Sequence, residues 1–223
     1  RSPAVLAASA RTLQSSTADD PGVCPARTCA CGAHSVGHRR SSVVTWTARA
    51  VASPQARGGT HDRIEANMIK LALVRHAKSD WGDPGLDDHD RPLNDRGMRD
   101  APRMARLLAD TGFRPDIIRA STALRARTTA EAFGAQLGVA VDLDPNLYGA
   151  SATTLLSTAV HIGVPSLMLV AHDPGLSVLA ARLSNDRIDH MPTCAVATFT
   201  WDEDDWNVID AIEPVDWTFD TPR

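Results

Sequence analysis

A run of six small or apolar residues, Ser166–Ala171, constrains the fold of this 223-residue chain more than any other feature. Such a continuous run is typical of a strand buried on both faces, and strands of that kind occur in parallel sheets covered by helices. Residues 69–74 and 116–120 are two further strand-like segments, and apolar residues at helical spacing separate them. The sequence therefore predicts an α/β domain that begins near Met68.

Local signals predict where the helices of this domain begin and end. A first helix must accommodate Pro102, either at a kink or near its start, and a second helix ends at Gly138. Ser151 is the predicted N-cap of a third helix. Asp173 and Pro174 are the predicted N-cap and first residue of a fourth helix.

The last part of the chain has two strand-like segments and one cysteine. Residues 195–201 and 206–212 are predicted to pair as a hairpin around an acidic turn. Cys194 is the only cysteine of residues 68–223, which excludes a disulfide framework for this domain. The absence of disulfides is typical of a reducing compartment, so we expect a cytoplasmic protein.

Charge divides unevenly along the chain. Residues 1–67 carry eight Arg and four acidic side chains, whereas residues 68–223 carry 15 basic and 23 acidic side chains. A domain with this excess of negative charge repels the nucleic-acid backbone, so we expect no nucleic-acid partner for it. No segment approaches the roughly 20 apolar residues of a membrane-spanning helix, so we also expect no membrane span.

Residues 1–67 mix Ala, Ser, Gly, Pro and Arg without a helical or alternating period, and we expect a low-complexity, disordered extension. Two origins stay open for it: a misassigned start upstream of Met68, or an Arg- and Ser-rich targeting segment. Its potential zinc ligands follow no spacing of a structural zinc site, so we interpret them as incidental. They are Cys24, Cys29, Cys31, His34 and His38.

Two of the predicted buried strands run directly into a histidine. The first ends in Arg75 and His76, and the third is followed by His172. Ligands of open α/β sheets lie beyond the carboxyl ends of the strands, so both imidazoles are expected at one crevice. Arg125 lies in the predicted first turn of a helix, where backbone amides and a guanidinium group both favour an anion. Together these four residues predict a cationic pocket for a phosphoryl group that needs no metal.

Five blocks of sequence resemble the histidine phosphatase superfamily, and their order and spacing resemble its short SixA-type phosphohistidine phosphatase branch. The blocks are LVRHAKS at 73–79, RPLNDRG at 91–97, STALRARTTA at 121–130, LYG at 147–149 and VAHDPG at 170–175. This resemblance implies a phosphoglycerate mutase-like domain over residues 68–223. Such a domain has three layers, α/β/α, with a mostly parallel central sheet and helices on both faces.

The resemblance, carried over by matching motif, also implies the roles of the site residues. His76 would be the nucleophile that accepts the phosphoryl group as a phosphohistidine intermediate. Arg75 and Arg125 would bind the phosphoryl oxygens, His172 would hydrogen-bond them, and Ser79 would contact the substrate, with no cofactor. Because His76 must be neutral to attack while His172 is more useful protonated, we expect their pKa values to be pushed apart.

One residue of the related enzymes is missing. The mutase and broad phosphatase branches place a Glu near the LYG block as general acid, and residues 145–150 contain none. An alkoxide leaving group needs a proton in the transition state, whereas an imidazole can arrive already protonated. This difference favours phosphohistidine as the substrate, although Asp80, Asp83 or Asp173 could supply a proton from a loop.

Three functions therefore stay open for this domain. The favoured one is a phosphatase that acts on phosphohistidine of a protein. The alternatives are a phosphomonoesterase for a small phosphorylated metabolite and a module that binds phosphoryl groups without turnover. We expect residues 80–92 to gate the pocket, and an open pocket would favour a protein substrate.

Overall fold

The computed structural model describes residues 68–222, and the predictions for residues 1–67 lie outside this range. The strands are β1 Ile69–Arg75, β2 Ile117–Ser121, β3 Val141–Asp144, β4 Ser166–Ala171, β5 Val196–Trp201 and β6 Asp216–Asp220. The helices are α1 Asp95–Asp110, α2 Leu124–Leu137, α3 Ala152–Ile162 and α4 Gly175–Leu183. Two short 3₁₀ turns, Asp88–Asp90 and Pro145–Leu147, lie in the connections.

The six strands form one sheet in the order β3-β2-β4-β1-β5-β6. The pairs β3·β2, β2·β4 and β4·β1 are parallel, and the pairs β1·β5 and β5·β6 are antiparallel. Every residue of β4 is buried, as its continuous apolar run predicts. The mostly parallel sheet of the predicted α/β fold is confirmed.

Helices cover both faces of the sheet, which gives the predicted three layers. Ile69, Leu71 and Leu73 of β1 pack in one core with α3 and α4. The alternate residues Ala72 and Val74 pack in a second core with α1 and α2. This alternation follows from the two-residue period of a strand. Within the described range, none of the helices combines the length and the apolar character that a bilayer crossing requires.

Most helix boundaries follow their predicted signals. Gly138 ends α2 in the left-handed region at φ 73°, where glycine has no steric penalty. The Ser151 hydroxyl accepts a hydrogen bond from the Thr154 amide and caps α3. Pro102 lies inside α1, which begins at Asp95, so the alternative that places this proline near the start of the helix is wrong.

The predicted start of the fourth helix is wrong by one residue. Helix α4 begins at Gly175, and no side chain caps its first turn. The Asp173 carboxylate instead accepts a hydrogen bond from the Ser177 hydroxyl, and it lies 3.7 Å from Nη1 of Arg75. Attraction by this guanidinium group therefore directs Asp173 toward the end of β1 and away from the helix amides.

The predicted hairpin is wrong in its second strand. Strand β5 pairs with β6 at Asp216–Asp220, and residues 206–212 form turns. Trp206 and Ile209 are buried in the core that contains α3 and α4, and Trp206 Nε1 donates to the Val164 carbonyl. These apolar residues therefore fill the core from a turn. Strand β3 was not predicted, because aspartates alternate with its apolar residues and it is an edge strand that pairs with β2 alone.

A substitution of Gly175 tests the close contact that fixes the start of α4. A Cβ atom at this position would lie 2.0 Å from the Ala150 carbonyl oxygen. We expect Gly175→Ala to lower the free energy of unfolding by about 1–3 kcal/mol, although alanine in a helix normally stabilises by about 1 kcal/mol. Urea denaturation measures this change. Val178→Ala, exposed on the same helix, is the control, and a stabilised Gly175→Ala variant would contradict the contact.

Candidate active site

The parallel register of β1 and β4 brings the two predicted histidines together. Arg75 pairs with Ala171, and the backbone amide of His76 donates to the Ala171 carbonyl at 3.1 Å. His172 directly follows Ala171, and the ring centroids of His76 and His172 lie 5.0 Å apart. Both imidazoles therefore lie at the carboxyl end of the sheet, where the sequence predicts them.

The ring of His76 is held in one tautomer. Its Nδ1 donates to the Ala77 carbonyl at 2.8 Å, so the proton lies on Nδ1 and the lone pair on Nε2. The Ala77 amide donates to Thr129 Oγ1, and that hydroxyl donates to the Arg125 carbonyl. Helix α2 thus fixes both the loop after His76 and the backbone of Arg125.

Three guanidinium groups surround the histidines. Nη1 of Arg75 donates to the Met191 carbonyl at 2.7 Å, and its buried Nε has no hydrogen-bond partner among the described residues. Arg125, in the first turn of α2, is only 7% exposed. Arg91 was not predicted as a site residue, yet it is buried and lies close enough to influence the pKa of His76. The predicted cationic pocket therefore has one more arginine than the sequence indicated.

Ser79 contacts Arg91. The serine is buried, and its hydroxyl accepts a hydrogen bond from Nη2 of Arg91 at 2.5 Å. Nε of Arg91 donates to the Asp80 carbonyl, and its guanidinium carbon lies 3.2 Å from the ring centroid of Trp81. In the structure Ser79 thus contacts an arginine of the pocket, and its predicted contact with substrate stays a prediction.

Asp88, from the 3₁₀ turn in the loop after β1, joins the separate parts of the pocket. Its carboxylate accepts hydrogen bonds from Arg125 at 2.8 Å, Arg91 at 2.6 Å and the Tyr148 hydroxyl at 2.8 Å. Nη1 of Arg125 also donates to the Asp88 backbone carbonyl. His89, next in the turn, contacts the Thr122 hydroxyl at 2.9 Å. The loop therefore contacts the pocket through a carboxylate held by two arginines.

Burial and the arginines lower the pKa of both histidines. Desolvation, followed by the charges of Arg125, Arg75 and Arg91, lowers the pKa of His76 to about 4. Desolvation, followed by His76 and Arg125, lowers the pKa of His172 to about 3. The expectation of a protonated His172 is wrong for this structure, because burial and the charges of Arg75 and Arg125 act on both rings. Both imidazoles are neutral at neutral pH.

The Asp88 carboxylate is a poor proton donor. Hydrogen bonds from Tyr148, Arg125 and Arg91 lower the pKa of Asp88 to about 2, so Asp88 is ionised at neutral pH. The Tyr148 hydroxyl donates its proton to Asp88, which raises the pKa of the tyrosine. The Asp80 and Asp83 carboxylates each accept a hydrogen bond from the backbone amide two residues later, in exposed turns.

Sequence reasoning missed three residues of the pocket: Asp88, Arg91 and Tyr148. Arg91 and Tyr148 lie inside the motif blocks, so their position in those blocks was an available signal. Asp88 lies in the run Asp87–Asp90, and such a run is normally a solvated loop. Only the contacts with Arg125 and Arg91 distinguish this carboxylate from its neighbours.

Comparisons with known proteins agree with this geometry. A family model for the histidine phosphatase superfamily (branch 1) matches residues 71–152. An uncharacterized chloroplastic protein of Arabidopsis thaliana is 31% identical over 153 residues, which cover 60% of this chain and 69% of that protein. An uncharacterized protein of Mycobacterium tuberculosis is 37% identical over 114 residues, which cover 50% of this chain and 70% of that protein.

Solved structures show the same likeness. A protein assigned as the phosphohistidine phosphatase SixA of Agrobacterium tumefaciens is 30% identical, with a TM-score of 0.58. The match covers 70% of this chain and 99% of that one. A protein assigned to the same activity from Nakamurella multipartitia is 22% identical, with a TM-score of 0.62 over 70% of this chain and 96% of that one. The second likeness concerns the fold alone.

The lowered pKa values of the histidines predict how stability depends on pH. Between pH 6.5 and 5 the unfolded chain takes up protons on His76 and His172, whereas the folded chain, with pKa values of about 4 and 3, does not. Stability therefore falls as pH falls through this window, by up to about 1.4 kcal/mol per pH unit for each histidine. Urea denaturation at several pH values measures this change in the free energy of unfolding. The slope should shrink in a variant with His76→Gln and His172→Gln, and an unchanged slope would contradict the assignment.

Proposed function

The chain belongs to the histidine phosphatase superfamily and is a hydrolase of the histidine-phosphatase type; on this premise we propose that residues 68–223 form a domain that dephosphorylates phosphohistidine on a protein. The observation that carries the choice of substrate is that Asp88, the carboxylate bound to Arg125 and Arg91, cannot protonate a leaving group, and that residues 145–150 contain no acid. Asp88 faces the pocket arginines and is ionised, with a pKa lowered to about 2. The likeness to the SixA protein of Agrobacterium tumefaciens supports the same choice.

His76 is the proposed nucleophile. Its Nδ1 proton is held by the Ala77 carbonyl, so the lone pair of Nε2 is free to attack phosphorus. Its lowered pKa keeps the ring neutral over the whole neutral range, so the nucleophilic form needs no prior deprotonation. The N–P bond to His76 forms as the N–P bond to the substrate imidazole breaks.

Arg75, Arg125 and His172 are the proposed ligands of the phosphoryl oxygens. The two guanidinium groups neutralise charge that spreads over these oxygens in the transition state. The buried Nε of Arg75 and the buried Nδ1 of His172 have no hydrogen-bond partner in the described part of the chain. A phosphoryl oxygen would satisfy such groups, whose desolvation is otherwise uncompensated.

The leaving group determines which substrates this pocket can process. The imidazole of phosphohistidine leaves as a neutral ring when its other nitrogen carries a proton, so the enzyme need not supply one. An alkyl phosphate would leave as an alkoxide, for which Asp88 offers no proton. Water then attacks the phosphohistidine at His76, releases inorganic phosphate and regenerates the neutral imidazole.

Hydrolysis of two substrates by the full chain tests the proposal. A phosphohistidine-bearing protein and p-nitrophenyl phosphate differ in leaving group and in size. We expect a higher kcat/KM for the protein, and a loss of about a thousandfold or more in His76→Ala. His161→Ala, at an exposed position on α3, is the matched histidine control and should keep its activity.

Other results of this assay identify the alternatives. Turnover of the aryl phosphate alone would favour a phosphomonoesterase for small metabolites. Full activity of His76→Ala would reject the nucleophile. Detection of an acid-labile, base-stable phosphate on His76 would distinguish turnover through a phosphoenzyme from binding alone.

Asp88 competes with the phosphoryl group for Arg125 in this proposal. Its carboxylate and backbone carbonyl accept hydrogen bonds from both terminal nitrogens of that arginine. Asp88→Asn removes the competing charge, so we expect the inhibition constant for inorganic phosphate to fall by about fivefold, the scale of a partly exposed ion pair. Inhibition of p-nitrophenyl phosphate or phosphohistidine hydrolysis by phosphate measures this constant.

Asp90→Asn is the matched control for this effect. Asp90 lies in the same 3₁₀ turn, is exposed, and contacts His89. The Asp90→Asn substitution should leave the inhibition constant for phosphate unchanged. Weaker phosphate binding in Asp88→Asn would mean that Asp88 orients Arg125 for the phosphoryl group and does not compete with it.

A further inference from the structure

A buried hydrogen bond joins Ser121 to the ring of His172. Ser121 is the last residue of β2 and has no exposed surface. Its hydroxyl oxygen lies 2.8 Å from Nε2 of His172. The same oxygen accepts a weaker hydrogen bond, 3.3 Å long, from the Ala123 amide.

A count of protons determines the direction of the Ser121–His172 bond. The Ser121 hydroxyl has one proton to donate, and the structure offers it no acceptor other than Nε2 of His172 within the range 68–222. A buried hydroxyl that left this proton unpaired would carry an uncompensated desolvation cost. The hydroxyl therefore donates to Nε2, and the proton of the neutral ring lies on Nδ1.

Nδ1 of His172 is buried and has no partner among the described residues. The adjacent ring of His76 has its own proton on Nδ1, bound to the Ala77 carbonyl. The pocket thus contains one imidazole with a free lone pair on Nε2 and one with an unpaired N–H on Nδ1. The first arrangement suits a nucleophile, and the second suits a donor to an oxyanion.

We propose that Ser121 is a positioning residue that holds His172 as the neutral Nδ1–H tautomer, so that this N–H donates to a phosphoryl oxygen. The role of the N–H rests on the proposed phosphatase function. Protonation of His172 would place a hydrogen on Nε2 as well, directly against the hydroxyl proton of Ser121. Ser121 therefore also disfavours the imidazolium form, together with burial and the cations of the pocket.

Several charged or titratable groups face His172 from the surrounding elements, and each influences which form of the ring is stable. Tyr148 contacts the ring edge-to-face, with centroids 5.4 Å apart. The other groups are His76, Arg75, Arg125 and Asp88. None of them accepts a hydrogen bond from or donates one to the ring nitrogens of His172 within the described structure. The tautomer is therefore set by Ser121.

Long-range ¹H–¹⁵N NMR of the histidine rings tests the tautomer in the intact chain, with no need for activity. The His172 signals are assigned from a His172→Gln sample. We expect the Nδ1–H pattern at neutral pH and a shift of the Nδ1 proton when inorganic phosphate is added. An Nε2–H pattern, a protonated ring, or an Nδ1 proton that does not respond to phosphate would overturn the proposal.

Ser121→Ala removes the hydroxyl that sets the tautomer. We expect its His172 to show a mixed or Nε2–H pattern, and its kcat/KM to fall by about ten- to a hundredfold, the worth of one hydrogen bond to a charged group. Ser166→Ala is the matched control, because Ser166 is a buried serine of the adjacent strand whose hydroxyl has no hydrogen-bond partner in the structure. It should keep both the tautomer and the rate.

The two proposals fail separately. If the wild-type ring shows Nε2–H while His76→Ala is inactive, only the role of Ser121 is rejected. If the ring shows Nδ1–H while His76→Ala keeps full activity, the proposed catalytic mechanism is rejected. A Ser121→Ala protein that keeps the Nδ1–H pattern would also reject the positioning role.

Discussion

The register of β1 against β4 is the constraint on which the pocket depends. Arg75 lies opposite Ala171, so His76 and His172 leave the sheet at the same level. Because side chains alternate along a strand, a slip of one residue would turn the apolar set of β1 toward the wrong core. The complete burial of β4 penalises such a slip on both of its faces. The cores that hold the sheet together therefore also set the distance between the two imidazoles.

Burial of the imidazoles has an electrostatic consequence. Arg75 and Arg125 lie close to both rings and Arg91 lies close to His76, so a buried imidazolium there would be repelled and poorly solvated. The rings therefore stay neutral, and the positive charge of the pocket comes from guanidinium groups, which remain charged at any relevant pH. In the proposed mechanism the nucleophile is an imidazole and the charged ligands are guanidinium groups, so the charge that binds phosphate does not depend on the protonation of the nucleophile.

The sequence predicted the parts of the fold that depend on local pattern. Apolar runs located β1, β2 and β4, and the signals at Gly138 and Ser151 located two helix ends. The failures have tertiary causes. Asp173 is drawn to Arg75 and Ser177, and Trp206 fills the core from a turn, so neither follows its local signal.

The predictions for the candidate site show the same difference between local signals and tertiary contacts. His76, His172, Arg75 and Arg125 were predicted because each lies at the end of a strand or the start of a helix, and strand ends meet at one edge of the sheet. Asp88 was not predicted, because its partner Arg125 is 37 residues away and neighbouring aspartates have the same local sequence character. The tautomer of His172 likewise depends on a serine 51 residues away. The spacing of residues in the sequence predicts which side chains come together in the fold. The charge states and proton positions of those side chains depend on tertiary contacts, which the spacing does not reveal.

Asp88 and a phosphoryl group would accept hydrogen bonds from the same atoms of Arg125. Both offer oxygen acceptors to its two terminal nitrogens, and a guanidinium group binds such pairs of acceptors well. The turn that carries Asp88 is also held by Arg91, by Tyr148 and by the contact of His89 with Thr122. Each of these polar contacts is partly exposed and therefore contributes modestly, whereas a phosphoryl dianion would gain more from the buried side chains of Arg75 and Arg125. In the proposed mechanism, binding of the phosphoryl group to Arg125 therefore requires displacement of Asp88 from that arginine.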